Sequence, residues 1–429
     1  MKKLASIALT VILLAMTLTA CGGEDETLGK TTDKTSGSTE NDSAAAEASA
    51  KPSPSSASGA EETPEEGTSM PLSGVAKFYT GAGFSMAIKT DGSLWWWGSN
   101  NVTKFDIEQS EYRNPIPLHI LDNISDVSTS NAHVLFIKTD GSLWGWGQNS
   151  DGQLGDGTTE HRSNPVHIMD NVVAVSTGFD HTMAIKTDGS LWGWGQNSEG
   201  QLGDGTTINR NTPKHIMDNV SVVSAGGHYT MAIKTDGSLW AWGSNRSGRL
   251  GINWSKLMLS EPSINPTHVM DNVVAVSTSD PTASAHTMAI TTDGSLWAWG
   301  SNGRGQLGDG TKEDRRSPVH IMDNVSSVSA GNTYTTIAVK TDGSLWGWGA
   351  NSGGNISIDY LGENISDVIS LLDPVYIMDN VTAVSTGSGY TMAIKTDGSL
   401  WAWGSNSSGQ LGNSTVRGSN NPPVQVQIP

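Results

Sequence analysis

Thr187-Asp-Gly-Ser-Leu-Trp-Gly-Trp-Gly195 is one of seven copies of a single phrase, which begin at Thr90, Thr139, Thr187, Thr235, Thr292, Thr341 and Thr396. The copies recur every 48 to 57 residues, a period that accommodates one small antiparallel sheet per repeat. Around the phrase the third copy reads Val172-Val-Ala-Val-Ser-Thr-Gly, then Thr182-Met-Ala-Ile-Lys186, and later Pro213-Lys-His-Ile-Met217. These segments are short, rich in β-branched and aromatic residues, and bounded by Gly, Asn and Asp, which is the chemistry of strands and turns. Asp188-Gly189 tolerates positive φ and so closes a tight hairpin within each repeat.

Trp192 and Trp194 stand two apart in a strand and therefore project to one face of the sheet. An indole buries roughly 150 to 250 Å², so two per repeat build a core once the sheets stack face to face. Between them stands Gly or Ala in six copies and Trp96 in the first. The predicted fold class is all-β: a seven-bladed β-propeller of four-stranded antiparallel blades. A radial array has to close, and the first strand, from Val75, is expected to pair with the last, Val424 to Ile428, in a shared blade. Pairing of the N- and C-terminal strands would remove the free sheet edges that otherwise aggregate.

Three segments are expected along the chain: a signal peptide over 1–20, a disordered acidic linker over 21–72 and the propeller over 73–429. Lys2 and Lys3 precede an apolar run, Leu4 to Thr19, that is short for a spanning helix. The run ends in Leu18-Thr19-Ala20-Cys21, which resembles the lipobox of bacterial lipoproteins, where Cys21 carries the lipid. Cys21 is the sole cysteine among 429 residues, which excludes an intramolecular disulfide. The expected location is accordingly bacterial, membrane-anchored and extracytoplasmic, on the cell surface or the periplasmic face. From Gly22 to Ser69 the chain has too few large apolar residues to offset the entropy of ordering. The formal net charge is −18, which argues against nucleic acid as a partner. A monomer is expected, with an unidentified protein partner and contact with the membrane through the lipid anchor.

The phrases Ser-Thr-Gly followed by a His-containing turn at His181, Thr-Asp-Gly-Ser-Leu-Trp, and Gly-Gln-Leu-Gly-Asp-Gly at Gly152 to Gly157, Gly200 to Gly205 and Gly305 to Gly310 resemble those of the regulator of chromosome condensation family from about Val75 to Pro429. That resemblance implies a seven-bladed propeller and leaves two branches of function open. The eukaryotic founder promotes nucleotide exchange on a small nuclear GTPase. A soil-bacterial branch resembles a secreted inhibitor that caps a β-lactamase with aromatic residues from one rim. With the lipobox, the sequence reads as a cell-surface lipoprotein whose propeller is a protein–protein interaction module of inhibitor type. The alternatives are an exchange-factor-like regulator of a small GTPase and a carbohydrate-binding or enzymatic propeller.

The chain shows no Gly-x-Ser-x-Gly, no His-Glu-x-x-His and no phosphate-cradling Lys loop. No catalytic residues, cofactor or metal are expected, and the protein reads as a non-enzyme. Eight of the ten histidines fall at equivalent repeat positions, where blade-internal hydrogen bonding explains them better than convergence on a site. Asp156, Asp204 and Asp309 in Gly-Asp-Gly raise calcium, yet they lack the alternating ligand ladder of an EF-hand loop. Partner-binding residues are expected where the repeats disagree: Phe105, Tyr112 and Arg113 in the first repeat, Trp254 in an insertion of the fourth, and Tyr360 in the sixth. A second candidate set is the tryptophan that ends each phrase, Trp97, Trp146, Trp194, Trp242, Trp299, Trp348 and Trp403, if those rings lie open on one rim; packing in the core explains them better.

Overall fold

The computed structural model describes residues 74–99, 113–130, 133–252, 261–279, 284–357, 370–414, 418 and 421–429. The expected leader, Cys21 and the linker lie outside the described residues, as do Phe105, Tyr112, Trp254 and Tyr360. The described strands form seven four-stranded antiparallel sheets, each contiguous in sequence. Blade three shows the pattern, with Val172–Thr177 innermost, then His181–Lys186 and Leu191–Gly195, and Arg210–Met217 outermost. Innermost strands of successive blades meet through hydroxyls: Ser128 and Thr177 lie 3.0 Å apart, Ser224 and Thr278 2.8 Å, and Ser329 and Thr386 2.9 Å. Each outer strand carries a proline, such as Pro165 in Arg162–Met169 and Pro213 in Arg210–Met217, which removes a donor from an exposed edge.

The repeated phrase folds as its chemistry requires. In blade three the Asp188 carboxylate accepts from the Ser190 backbone N–H at 2.9 Å and from its hydroxyl at 2.6 Å, and Ser190 Oγ accepts from Trp192 Nε1 at 2.9 Å. The leading indole is half-buried, with Lys186 5.2 Å from its ring centroid and His215 edge-on at 5.5 Å. The second indole, Trp194, faces the same way and is fully buried in a cluster with Leu135, Leu143 and Leu154 of blade two and Val175 of its own blade.

That second indole is also where blades are fastened together. The Gln153 carbonyl, on the loop between the third and fourth strands of blade two, accepts Trp194 Nε1 at 3.0 Å and Thr182 Oγ1 at 2.8 Å from blade three. The same carbonyl position takes the same two donors at the next junctions: Gln201 from Trp242 and Thr230, Arg249 from Trp299 and Thr287, Gln306 from Trp348 and Thr336, and Asn355 from Trp403 and Thr391. Gly155 has φ +79°, and a Cβ placed there would sit 2.6 Å from Trp194 Nε1, so only glycine lets the loop close over the ring.

The expected closure by pairing of the N- and C-terminal strands is therefore corrected. Val75–Thr80 pairs with Phe84–Lys89 in blade one, and Asn421–Gln425 pairs with Leu400–Gly404 in blade seven. The repeat begins at the innermost strand, so both terminal blades are complete and no strand is left to share. The ring closes by the side-chain latch used elsewhere: Gln410 O accepts Trp97 Nε1 at 2.9 Å and Ser85 Oγ at 2.8 Å. Tyr390 adds its hydroxyl, which accepts from Gly81 N, lies 3.0 Å from Ser85 Oγ and donates to the Phe84 carbonyl.

One junction differs. Blade one has no Gln-Leu-Gly phrase, and Val134 stands where the other blades place Thr or Ser. In the other blades the middle residue of the phrase is small, and a leucine from the latch loop, or Ile356 in blade six, packs beside it: a Cβ on Gly145 would lie 3.3 Å from Leu154 Cδ2. In blade one Trp96, 1% exposed, fills the equivalent space against Ile124, Val127 and Trp146. Tyr79 donates to the buried Asp126 carboxylate at 2.5 Å, and Lys77 Nζ lies 3.4 Å from its other oxygen. The burial of Asp126 raises its pKa despite Lys77 and Tyr79.

Candidate functional site

Because every blade runs strand by strand outward, its first and third loops reach one rim and its hairpin turn reaches the other. The strand ends flanking all four departures from the repeat lie on the first of these rims: Ser99 and Arg113, Ile252 and Ser263, Ser279 and His286, Ala350 and Ser370. The latch loops lie on this rim too. Variation in sequence and attachment of the blades thus share one side of the ring.

Each latch loop is held rigid by its own network. In blade three Asn197 Nδ2 donates to the Asp204 carboxylate at 3.0 Å, Thr206 Oγ1 donates to it at 2.6 Å, and Arg210 lies 2.7 Å from its other oxygen. Blades two and five repeat the network on Asp156 with Arg162 and on Asp309 with Arg315. Burial pushes these carboxyls up, but the hydrogen bonds from Thr and Arg outweigh it and hold them below the usual range. The Gly-Asp-Gly aspartates are thus oriented inward onto protein donors, which accounts for them without calcium. Among the described residues no group of three or more His, Cys, Asp or Glu is placed to hold a metal ion, and no catalytic constellation is present. Excess EDTA is expected to leave the melting temperature unchanged, whereas Asp204→Ala costs about 1–3 kcal/mol by freeing buried donors. A melting temperature that drops with EDTA and recovers with calcium would reverse this assignment.

The structure divides the sequence candidates. Arg113 is exposed on the loop-bearing rim and donates to the Ser407 carbonyl of blade seven at 3.0 Å. Trp97, Trp146, Trp194, Trp242, Trp299, Trp348 and Trp403 are all fully buried, as core packing requires, and are not open rim rings. Apart from Trp146, their Nε1 groups are directed at the neighbouring latch loop rather than at solvent, as the carbonyl bonds of Trp97 and Trp194 show. His133, His181 and His286 are buried within the blades, where desolvation drives their pKa down to about 3. His119, His167, His215, His268 and His320 pair instead with the aspartates three residues on, at 2.8 to 2.9 Å.

Absent from the sequence candidates are the tips of the latch loops. Asp151, Glu199 and Arg304 occupy one equivalent position, where a Gln side chain accepts the backbone N–H and fixes the tip. Arg246 occupies the tip of blade four and meets Glu199 across the junction at 3.1 Å. Their signal in the sequence is a change of charge sign inside an otherwise repeated loop. Beside them Asp180 is buried, and burial together with Asp151 raises its pKa to about 6.

Comparison with known proteins agrees with this architecture. An RCC1-like domain family matches residues 7–334, and the regulator of chromosome condensation (RCC1) repeat matches 325–355, 381–410 and 397–429. The Ultraviolet-B receptor UVR8 of Arabidopsis thaliana is 30% identical over 150 residues, which is 34% of this chain and 32% of that protein. Protein RCC2 of Homo sapiens is 27% identical over 146 residues, 30% of this chain and 25% of that one. The matched part thus spans about a third or less of these curated relatives. Among solved structures, yeast RCC1 (Prp20) bound to Kap60 aligns with a TM-score of 0.67 at 17% identity, over 86% of this chain and 91% of that one. Human WBSCR16 aligns with a TM-score of 0.65 at 20% identity, over 79% and 94%.

The sources of these relatives overturn the expected location. The named curated relatives come from Arabidopsis thaliana, Danio rerio, Homo sapiens and Mus musculus, and the Prp20 structures from yeast. A bacterial, membrane-anchored, extracytoplasmic protein is not what this eukaryotic kinship supports, and that placement stands corrected. What the repeat phrases, the seven sheets and the matched families agree on is membership: this chain belongs to the RCC1-like domain family.

Proposed function

We propose that this protein is a protein-binding propeller that acts as an exchange-factor-like regulator of a small GTPase, with the loop-bearing rim as its working face. The observation that carries the reading is the gathering of the repeat-breaking connections and the charged latch tips on one rim of a rigid ring. Partner contacts favour such loops on a fixed scaffold, whereas the opposite rim repeats the same turns blade after blade. Kinship supports the choice of partner class: one Prp20p structure is described together with its binding properties to Gsp1p and histones, and another is a complex with Kap60. Phe105, Tyr112, Arg113, Trp254 and Tyr360 belong to the proposed contact set because their connections leave from this rim. The absence of a catalytic constellation among the described residues suits this role, since nucleotide exchange requires differential binding of GTPase states and no bond chemistry.

Release of a fluorescent GDP analogue from purified small GTPases tests the reading. The full chain is expected to accelerate release at least tenfold for one GTPase, and Arg113→Glu is expected to weaken that effect without lowering the melting temperature. Unchanged release across a panel spanning the small GTPase subfamilies would overturn the exchange-factor reading.

A further inference from the structure

The latch tips make an uneven ring of charge. Over blades two and three the rim carries Asp151, Glu160, Asp180 and Glu199. Over blades four and five the tips carry Arg246, one residue before the equivalent position Ser247, and Arg304 at that position, with Lys312, Glu313, Asp314 and Arg316 beside them, and over blades six and seven the equivalent position carries Gly353 and Ser408. Arg246 and Arg304 are both exposed, and the Arg246 side chain keeps 61% of its surface in solvent even while it meets Glu199. Arg316 is placed beside the Arg246 loop, since a Cβ on Gly248 would lie 2.6 Å from Arg316 Cα. Arg304, Lys312 and Arg316 make no ion pair with a described residue, while Arg315 is used internally by Asp309. A basic sector on a chain of net charge −18 is not required by the fold, because blades two and three build the same loops with acidic tips.

Buried donors in this sector give a second, independent observation. Gln153, Gln201 and Gln410 each donate Nε2 to a neighbour, namely Asp180, Gln196 and Ser405. Gln306 of blade five is 1% exposed, and its Nε2 has no partner. Asn149, Asn197 and Asn302 donate Nδ2 to an aspartate of their own loop. Asn245 of blade four is equally buried, but Ile252 follows its loop where those blades have the aspartate, and its Nδ2 has no partner. Among these latch-loop amides the two unmatched donors fall in blades four and five, whereas at the same position of blade six the unmatched atom is an acceptor, Asn355 Oδ1. Leaving buried donors unmatched is costly, so these two loops are the ones in which internal hydrogen bonding is incomplete.

We infer that the rim over blades four and five is a docking surface for a carboxylate-rich segment of a protein partner, with Arg246 and Arg304 as its principal contacts. Charge-assisted bonds from two guanidinium groups suit carboxylates. The acidic sector over blades two and three repels the same segment and so fixes the direction in which it lies. Glu199 competes with the partner for Arg246. The inference rests on the loop-bearing rim being the working face, but it does not depend on the partner being a GTPase.

The test uses the full chain and two fluorescein-labelled peptides, one with four glutamates spaced by Gly-Ser and one with lysines in their place, followed by fluorescence anisotropy at low and physiological salt. The glutamate peptide is expected to bind, more tightly at low than at physiological salt, whereas any binding of the lysine peptide is expected not to weaken when the two arginines are reversed. Arg246→Glu combined with Arg304→Glu is expected to weaken glutamate-peptide binding tenfold or more, with an unchanged melting temperature. Glu199→Gln is expected to tighten binding about threefold, because it releases Arg246. Glutamate binding that survives the double reversal, or that weakens in Glu199→Gln, would overturn the inference. Failure of nucleotide exchange with intact peptide binding would sink the GTPase reading alone.

Discussion

Trp97→Ala is expected to lower stability by roughly 3–5 kcal/mol, the range for removing a fully buried large aromatic side chain. Trp97 is the indole at the seam where the last blade meets the first, and it donates to the Gln410 carbonyl while packing against Tyr390, Leu400 and Leu411. The variant leaves a cavity at the seam and removes one of the two donors that hold the loop, with Ser85 as the other. Trp95→Ala, in the same strand, is expected to cost about half as much, because Trp95 is only half-buried and less apolar area is lost to water. Urea unfolding of both variants beside Trp194→Ala provides the comparison. A latch that works alike at every junction makes Trp97→Ala and Trp194→Ala similar, whereas closure by another device would make Trp97→Ala mild.

Acid is expected to weaken the propeller well above the range in which carboxylates titrate. Desolvation holds His133, His181 and His286 near pKa 3 in the folded chain, against 6.5 when exposed. The unfolded chain therefore takes up protons first as pH falls, so the stability held by the neutral imidazoles is complete above pH 6.5 and drains away down to about pH 3. At about 1.36 kcal/mol per pKa unit, each contributes a loss of roughly 2 kcal/mol by pH 5. Asp180 works in the opposite sense: its pKa is raised to about 6, so its cost at neutral pH is relieved as pH falls. Solvent screening limits that return to about 1 kcal/mol at pH 5, leaving a net loss of roughly 5 kcal/mol. Urea midpoints at pH 7.5 and pH 5 measure the difference, and His181→Gln is expected to shrink it by about 2 kcal/mol. Equal midpoints at the two pH values would show that the imidazoles are already charged in the fold.

The seven phrases determined the blade count, the strand order within a blade and the face of the strand from which the indoles project. Those properties are local: Asp188-Gly189 sets its own hairpin, and Trp192 and Trp194 share a face because strand side chains alternate. The phrases also pointed to the family. They did not reveal how the ring closes, since pairing of Val75–Thr80 with the last strand and latching by Gln410 satisfy the same pattern of residues. Only the three-dimensional arrangement decides between them, because the latch joins Trp97 to a carbonyl more than 300 residues away. The second tryptophans show the same limit: their spacing fixes a face of the strand but not whether a neighbouring loop covers it. Charge on the rim was legible residue by residue as Asp151, Glu199, Arg246 and Arg304, but its meaning was not. Sequence spacing sets these residues a repeat apart, and only the closing of seven blades around one axis brings them onto the same edge as an acidic and a basic sector.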